Sequence, residues 1–330
     1  MKAGQLGTRL LFRGQPSSEE SLIGFLIRLT EENNLASPER LYRLVQGSSP
    51  AYPTRNDLLK FAHLAGCAFS DLDERHYRRT FGDHYKGNFK FFDQMLSREC
   101  FLTFFYPRIC PECLIAENIV KAVWDLTVVT SCHLHVIQLI DSCPSCGERL
   151  SWKRNRTCYC NCEFDLRQAP QTNPTAFDAY FSQHVSRALG LRTPKTLLRP
   201  PTEITADFWL LSLNGQFALL WLLGRVIPNH AKLKNGHGRA KLSVAATQIL
   251  VATATATLKR WQLVRSGTHH GSCPQYDKQC LAKVRRFIYD EFCPADLSVL
   301  DQLFEFEFGP QSTTPVGLSE LLQTQLSLSL

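Results

Sequence analysis

The chain has 330 residues, 44% of them apolar, which is enough for two or three domains with buried cores and excludes an intrinsically disordered protein. Its formal charge is +7, and it contains 13 cysteines. The most apolar stretch, 208–223, is too short and too interrupted by polar residues to span a membrane. Residues 1–15 lack the order of a signal or transit peptide, so we expect a protein of the bacterial cytoplasm that makes no membrane contact.

Four helices are predicted in the first 99 residues, each from its capping residues and its apolar spacing. The first runs from about 18 to 32 behind a capping box at Ser17 and Glu20, and the second begins at Pro38 and ends before Gly47. The remaining signals are Thr54 and Asp57 for the start of the third helix, Gly66 for its end, and Ser70 and Asp73 for the start of the fourth.

The last two of these helices meet at Gly66 and resemble a helix-turn-helix pair. The second of them would carry a basic face of Arg75, His76, Arg78 and Arg79. DNA reading is one interpretation of this pair, and simple packing in a helical bundle is the other.

Eight of the 13 cysteines lie between Cys110 and Cys162, at the short spacings that indicate metal binding in a reducing cytoplasm. A first zinc site is predicted from two pairs with a two-residue spacing, Cys110 with Cys113 and Cys132 with His135. His133 is a rival ligand, which we expect at the surface or beside the site.

A second zinc site is predicted from Cys143 and Cys146 together with Cys160 and Cys162. Cys158 is then a spare thiol, and the pair Cys158 and Cys162 remains an alternative. Both sites use all four zinc positions for protein ligands, so neither leaves a place for an activated water. The chain also has no phosphate-binding glycine loop and no Gly-x-Ser-x-Gly, so we expect it not to be an enzyme.

The loop of the second site is rich in basic residues and contains a tryptophan, a combination that suits a phosphate or base-stacking contact. A solvated surface is the alternative. The candidate nucleic-acid-binding residues are Arg149, Trp152, Lys153, Arg154 and Arg156. Further basic groups are Lys232, Lys234, Arg239 and Lys241, and Lys283, Arg285 and Arg286.

No Lys or Arg follows Arg286, whereas seven acidic residues do. This asymmetry favours a basic body that contacts polyanions and an acidic tail that avoids them; a solvated tail without function is the alternative. Prolines near 170–174 and 194–201 mark joints, followed by helices near 177–189 and from 205 onward. The predicted fold is mainly α: a helical N-terminal domain over 1–99, a tandem zinc module over 100–168 and a helical C-terminal domain over 169–330.

Several of these motifs together resemble the TniQ family of transposition proteins. Glu20-Ser21-Leu22 with Arg28-Leu29 is similar to the opening of that family, and Cys110-Pro111-Glu112-Cys113 with Trp124 and Cys132 to His135 is similar to its first pair of zinc knuckles. Cys143 to Cys146 and Cys162 to Leu166 resemble the second pair, except that Glu163 stands where the family usually has glycine. Because that glycine permits a positive φ, glutamate is expected to be strained there.

The resemblance implies a target-selection adaptor that acts beside a TnsC-type AAA+ ATPase and, indirectly, a transposase. Some members bind an attachment sequence directly, whereas others bind an RNA-guided CRISPR effector complex on its target DNA. The moderate length of this chain favours the RNA-guided type. A TnsD-like, sequence-specific DNA-binding selector is the alternative.

Overall fold

The computed structural model describes residues 9–45, 53–77, 79–80, 88–103, 106–225, 242–265 and 296–301. The described part is mainly helical, as predicted, and it also contains a small antiparallel sheet in the order β1-β2-β3. The helices are α1 (Leu22–Glu32), α2 (Pro38–Val45), α3 (Arg55–Ala65), α4 (Phe69–Asp73), α5 (Pro111–Glu117), α6 (Ala176–Ala188), α7 (Ala206–Leu210), α8 (Leu213–Arg225) and α9 (Val244–Arg265), and residues 296–301 are also helical. The strands are β1 (Arg79–Thr80), β2 (Asn88–Phe91) and β3 (Gln94–Leu96).

Local capping chemistry sets the ends of the N-terminal helices. The predicted capping of α3 by Thr54 and Asp57 is confirmed, as a capping box: the side chain of each accepts a hydrogen bond from the other's backbone amide, and Gly66 ends the helix at φ 70°. The predicted start of α1 is wrong. Ser21 caps this helix by accepting from the amide of Gly24 at 2.9 Å, so α1 begins at Leu22.

The predicted basic recognition helix is not formed. Helix α4 has only five residues, and it is capped through Ala68 and Asp71 rather than by Ser70 and Asp73. Arg75 is buried in the short 3₁₀ turn that follows, where its guanidinium donates to the carbonyl oxygens of Glu20, Ser17 and Ser18. Strand β1 follows this turn, where a longer helix was expected. Arg75 binds the chain segment before α1, and its buried guanidinium is not available to contact DNA.

Two hydrophobic cores organise the described residues. The smaller one lies among α1, α2, α3 and α4 and includes Phe25, Leu41 and Phe61. The larger one begins on the opposite face of α1, at Ile27, and continues through the sheet and the cysteine-rich segment to the C-terminal helices. This core crosses the predicted boundary at 169 without a break, because Trp124, Phe181 and Leu250 all belong to it.

The C-terminal helices show one clear departure from the sequence pattern. The apolar stretch 208–223, which lies in the region predicted to be helical from 205 onward, is divided between α7 and α8. Ser212 lies at the division: its hydroxyl accepts from the amide of Gly215 in the first turn of α8, and Asp296 accepts from the amide of Ser212 at 2.7 Å and from its hydroxyl at 2.5 Å. Gly224 allows α8 to lie close to α9, since a Cβ there would come within 2.4 Å of the carbonyl oxygen of Leu250.

None of the helices in the described ranges combines the length and apolarity that crossing a membrane requires. The basic groups at 232–241 and 283–286 and most of the acidic tail lie outside the described residues.

Candidate metal centres

The first group of candidate ligands is assembled around the start of α5. Cys110 precedes this helix and Cys113 lies in its first turn, while Cys132 and His135 approach from a tight loop. The ligand atoms of all four residues lie within 4.8 Å of one another. Nδ1 of His135 is 3.5 Å from Sγ of Cys110, 3.2 Å from that of Cys113 and 3.6 Å from that of Cys132. The three cysteines are buried.

The second group contains Cys143, Cys146, Cys160 and Cys162, whose sulfurs also lie within 4.8 Å of one another. Sγ of Cys143 is 3.6 Å from that of Cys162, and Sγ of Cys146 is 3.8 Å from that of Cys160. Cys146 and Cys162 are exposed, whereas Cys143 and Cys160 are buried. The two groups therefore share a geometry but differ in their exposure to solvent.

These separations fit a tetrahedral zinc ion. With Zn–S bonds of about 2.3 Å and Zn–N bonds of about 2.0 Å, the edges of the tetrahedron are about 3.8 Å between sulfurs and about 3.5 Å between sulfur and nitrogen. The edges given above range from 3.2 to 3.8 Å, and all ligand atoms of a group lie within 4.8 Å of one another. Three thiols with an imidazole, and four thiols, are also donor sets that zinc prefers. Each group can hold one metal ion, and both are compatible with zinc.

Three of the four ligand pairs are followed by a similar hydrogen-bonded turn, which closes over four residues in two pairs and over three in the pair Cys160 and Cys162. In each turn the residue after the second ligand has a positive φ: Val136 at 53°, Gly147 at 74° and Glu163 at 67°. The amide of each of these residues donates to the carbonyl oxygen of the first ligand of its pair, at 3.0, 2.9 and 3.0 Å. Gly147 indicates this conformation by its residue type and Glu163 by the glycine that the family usually has there, whereas Val136 gives no such signal. The left-handed conformation expected at Glu163 is present, and Glu163 forms an ion pair with Arg156 there.

Electrostatics favours a thiolate in each group. Burial alone would raise the pKa of Cys132, but hydrogen bonds from Cys110, Cys113 and His135 lower it well below its ordinary value. The backbone amide of Phe164 lowers the pKa of Cys162 to about 7. A thiolate is the form of cysteine that binds metal, so each group has one ligand prepared for a cation.

The two rival residues lie outside these groups. His133 is fully buried rather than at the surface, and burial lowers its pKa; its backbone carbonyl accepts from Gln183. Cys158 is also buried, and its thiol lies 2.8 Å from Oδ1 of Asn118, the residue that ends α5. Burial raises the pKa of Cys158 to about 11, as expected for an inert core thiol.

The basic loop between the two arms of the second group is largely occupied by contacts within the chain. Arg149 pairs with Asp141 at 2.7 Å and lies 3.7 Å from the ring centre of Tyr106. Lys153 pairs with Glu39, and the Trp152 ring packs against Tyr42.

The prediction that Arg154 contacts nucleic acid is wrong. It is only 1% exposed, so it has no surface to offer a phosphate. Its Nη atoms have no hydrogen-bond partner among the described residues, and burial lowers its pKa to about 10 against the opposing effect of Cys160. The nearby thiol of Cys158 and the carboxylate of Glu31 act in the same direction as Cys160, and the sequence pattern did not indicate this burial.

A buried ion-pair network lies beside the first group and was also missed from the sequence. Nζ of Lys121 is 2.7 Å from a carboxylate oxygen of Glu19 and 2.7 Å from one of Glu117, and the Lys121 side chain is 1% exposed. Arg192 joins the network by pairing with Glu117 and by donating its backbone amide to Glu19. The network links the segment before α1, helix α5 and the chain after α6.

Comparison with known proteins finds a family model that matches part of the chain. Residues 11–139 match the family model described as TniQ, and no curated protein matches the chain. The matched span begins before α1 and ends just after His135, so it contains the whole first group of ligands and excludes the second. Of the motifs on which the resemblance depended, those at Glu20 to Leu29 and at Cys110 to His135 lie inside the span, and those at Cys143 to Cys146 and Cys162 to Leu166 lie outside it. The comparison therefore supports the resemblance to the TniQ family over this span of the chain.

Proposed function

We propose that each cysteine group binds one structural zinc ion, with the first held by Cys110, Cys113, Cys132 and His135 and the second by Cys143, Cys146, Cys160 and Cys162. The tetrahedral spacing of the ligand atoms carries this proposal. Both sites are closed by four protein ligands, which supports a structural role and a chain without catalytic activity of its own. Structural zinc contributes on the order of 10 kcal/mol, comparable with the stability of a whole domain.

Native mass spectrometry of the freshly purified full chain tests the proposal, and we expect two zinc ions per chain. Cys113→Ser should remove one of them and destabilise the surrounding fold. Cys158→Ser is the matched control, because Cys158 lies in the same segment but outside both groups, and it should retain both ions. Protein that contains one zinc ion or none before any treatment would refute the assignment.

We further propose that the chain is a transposon adaptor that connects a target-bound complex, of the RNA-guided CRISPR type, to a TnsC-type AAA+ ATPase. The TniQ domain supports a transposition-related role in target selection. The burial of Arg75 and Arg154 supports an adaptor over a direct reader of DNA, because it removes two of the basic side chains that a reader would use.

An adaptor needs two separate surfaces, and exposed apolar side chains offer a candidate for each. Before α1, Leu11 and Phe12 are 82% and 56% exposed. Phe12 is held there by paired hydrogen bonds between its backbone and the side chain of Asn33. At the end of α7, Leu210 is 71% exposed. The first surface belongs to the N-terminal helices and the second to the C-terminal helices.

Pull-downs with the purified ATPase and the purified effector complex test the adaptor. We expect Phe12→Ser and Leu210→Ser to fall into two classes, each weakening the capture of one partner and retaining the other. Met95→Ser is the control, because Met95 is 43% exposed on β3 and belongs to neither surface. If neither variant affects either partner, or if the wild-type chain alone binds one DNA sequence tightly and ignores every effector complex, the adaptor proposal is wrong; the second result would identify a direct selector.

A further inference from the structure

The two groups of ligands differ in how far their sulfurs can be reached by a small molecule. In the first group, Cys110, Cys113 and Cys132 are at most 1% exposed. In the second, Cys146 and Cys162 are both exposed, and each lies within 3.8 Å of the buried sulfur of the opposite arm. An exposed thiolate beside a second thiol is the arrangement in which cysteine oxidation proceeds to a disulfide.

The donor sets of the two sites also make the second site the more reactive one. Four thiolates around a zinc ion leave a formal charge of −2, whereas three thiolates and a neutral imidazole leave −1. The greater negative charge places more electron density on the sulfurs of the second site, which favours attack on an electrophile. Exposure and charge therefore both select the second site as the reactive one.

We propose that the second cysteine group is a peroxide-sensitive modification site, which loses its zinc on oxidation while the first site keeps its own; this rests on the proposed zinc binding. The exposed sulfur of Cys162 or Cys146 attacks hydrogen peroxide, forming a sulfenic acid as the O–O bond breaks and hydroxide leaves. The buried partner, Cys143 or Cys160 respectively, then attacks that sulfur, forms the S–S bond and expels a second hydroxide. Two protons convert the hydroxides to water, so two thiolates lose two electrons to one peroxide and the zinc ion passes into solution.

Oxidation at this site also has a structural consequence. The loop between the two arms reaches α1 and α2 through three contacts: Thr157 with Glu31 at 2.9 Å, Lys153 with Glu39 at 2.9 Å, and Trp152 with Tyr42. The second site fixes both ends of this loop, so loss of its zinc releases the contacts with the N-terminal helices.

The experiment treats the zinc-loaded full chain with hydrogen peroxide and follows zinc release with a chromogenic chelator, together with native mass spectrometry and disulfide mapping. We expect one of the two ions to leave at least about tenfold faster than the other, with disulfides that join Cys143 to Cys162 or Cys146 to Cys160. Hydrogen exchange should increase over 38–45 and 149–157, and a thiol reductant with added zinc should reverse both changes.

Matched variants separate this inference from the zinc assignment. Cys146→His gives the second site the donor set of the first and should retain two zinc ions while slowing peroxide-driven release; Cys67→Ser, outside both sites, should behave as the wild type. Two ions at the start that leave together, or that both resist peroxide, would overturn the inference and leave the zinc assignment intact. No zinc at the start would instead overturn the zinc assignment.

Discussion

The amide of Val136 donates to the carbonyl oxygen of Cys132 across 3.0 Å, and this turn holds Val136 at φ 53°. A β-branched residue rarely adopts such a conformation, because its Cβ crowds the backbone. The equivalent turn of the second site uses Gly147, at φ 74°, where an added Cβ would meet no atom within 4 Å. The two turns therefore differ mainly in the conformational cost of the residue that occupies them.

The first prediction follows from this comparison. Val136→Gly should stabilise the zinc-loaded protein by about 1 kcal/mol because it removes the strain, whereas Gly147→Ala should destabilise it by about 1 kcal/mol because it introduces strain without a clash. Urea denaturation at a fixed zinc concentration measures both changes. Opposite signs are expected, and a larger loss from Val136→Gly than from Gly147→Ala would contradict the explanation.

The second prediction concerns Arg108, a buried cation that connects the cysteine-rich segment to α9. Its guanidinium donates to the carbonyl oxygens of Leu126, Thr127 and Val129 and to the hydroxyl of Thr247, and burial lowers its pKa to about 10. Arg108→Met should cost about 3–5 kcal/mol of unfolding free energy, because it leaves buried carbonyls unpaired.

Thr247→Val provides the control for Arg108, because it removes a single hydrogen bond to the same guanidinium. It should cost only about 1 kcal/mol. Chemical denaturation of both variants measures the difference. Equal losses would show that the carbonyl contacts contribute nothing beyond the bond to α9.

The third prediction is the pH dependence of the Lys121 network. Burial by itself raises the pKa of Glu19 and of Glu117, but Lys121 and Arg192 oppose it and leave both values below the ordinary 4.5. A carboxylate whose pKa is lower in the folded state stabilises the fold above its unfolded pKa, and this stability is lost as the pH falls through the folded value. Glu19→Gln should therefore be less stable than the wild type at pH 7, and the difference should shrink as the pH falls below about 4.5.

Denaturation across this pH range, with Glu39→Gln as the control, checks the third prediction. Glu39 pairs with Lys153 at the surface, and exposed pairs contribute at most about 1 kcal/mol. Its substitution should have a small effect at every pH. A Glu19→Gln deficit that stays constant down to pH 3 would exclude the carboxylate as its origin.

The fourth prediction distinguishes two neighbours in the basic loop. Lys153→Glu should change stability by less than about 1 kcal/mol, since Lys153 is 58% exposed on its side chain. Arg154→Glu should cost more than about 3 kcal/mol, because it buries a carboxylate beside the thiolates of the second site. Thermal unfolding with zinc present measures both, and similar values would mean that Arg154 reaches solvent.

Features that depend on residues close together in the sequence were predictable. The capping of α3 by Thr54 and Asp57 and its end at Gly66 were read correctly, because a cap involves groups three or four residues apart. The grouping of the cysteines followed from spacings of one or two residues for the same reason: such spacings bring two ligands to one point in a tight turn. The left-handed conformation at Glu163 was also visible, through the glycine that it replaces.

Features that depend on distant partners were decided only by the tertiary structure. Asp296 binds Ser212, at the break between α7 and α8, from 84 residues away, and Arg75 is buried against carbonyl groups more than 50 residues before it. The burial of Arg154 and the core shared across residue 169 have the same origin. A sequence pattern records the chemistry that each residue offers, whereas its partner is chosen by the free energy of packing the whole chain, which brings together groups that no local spacing relates.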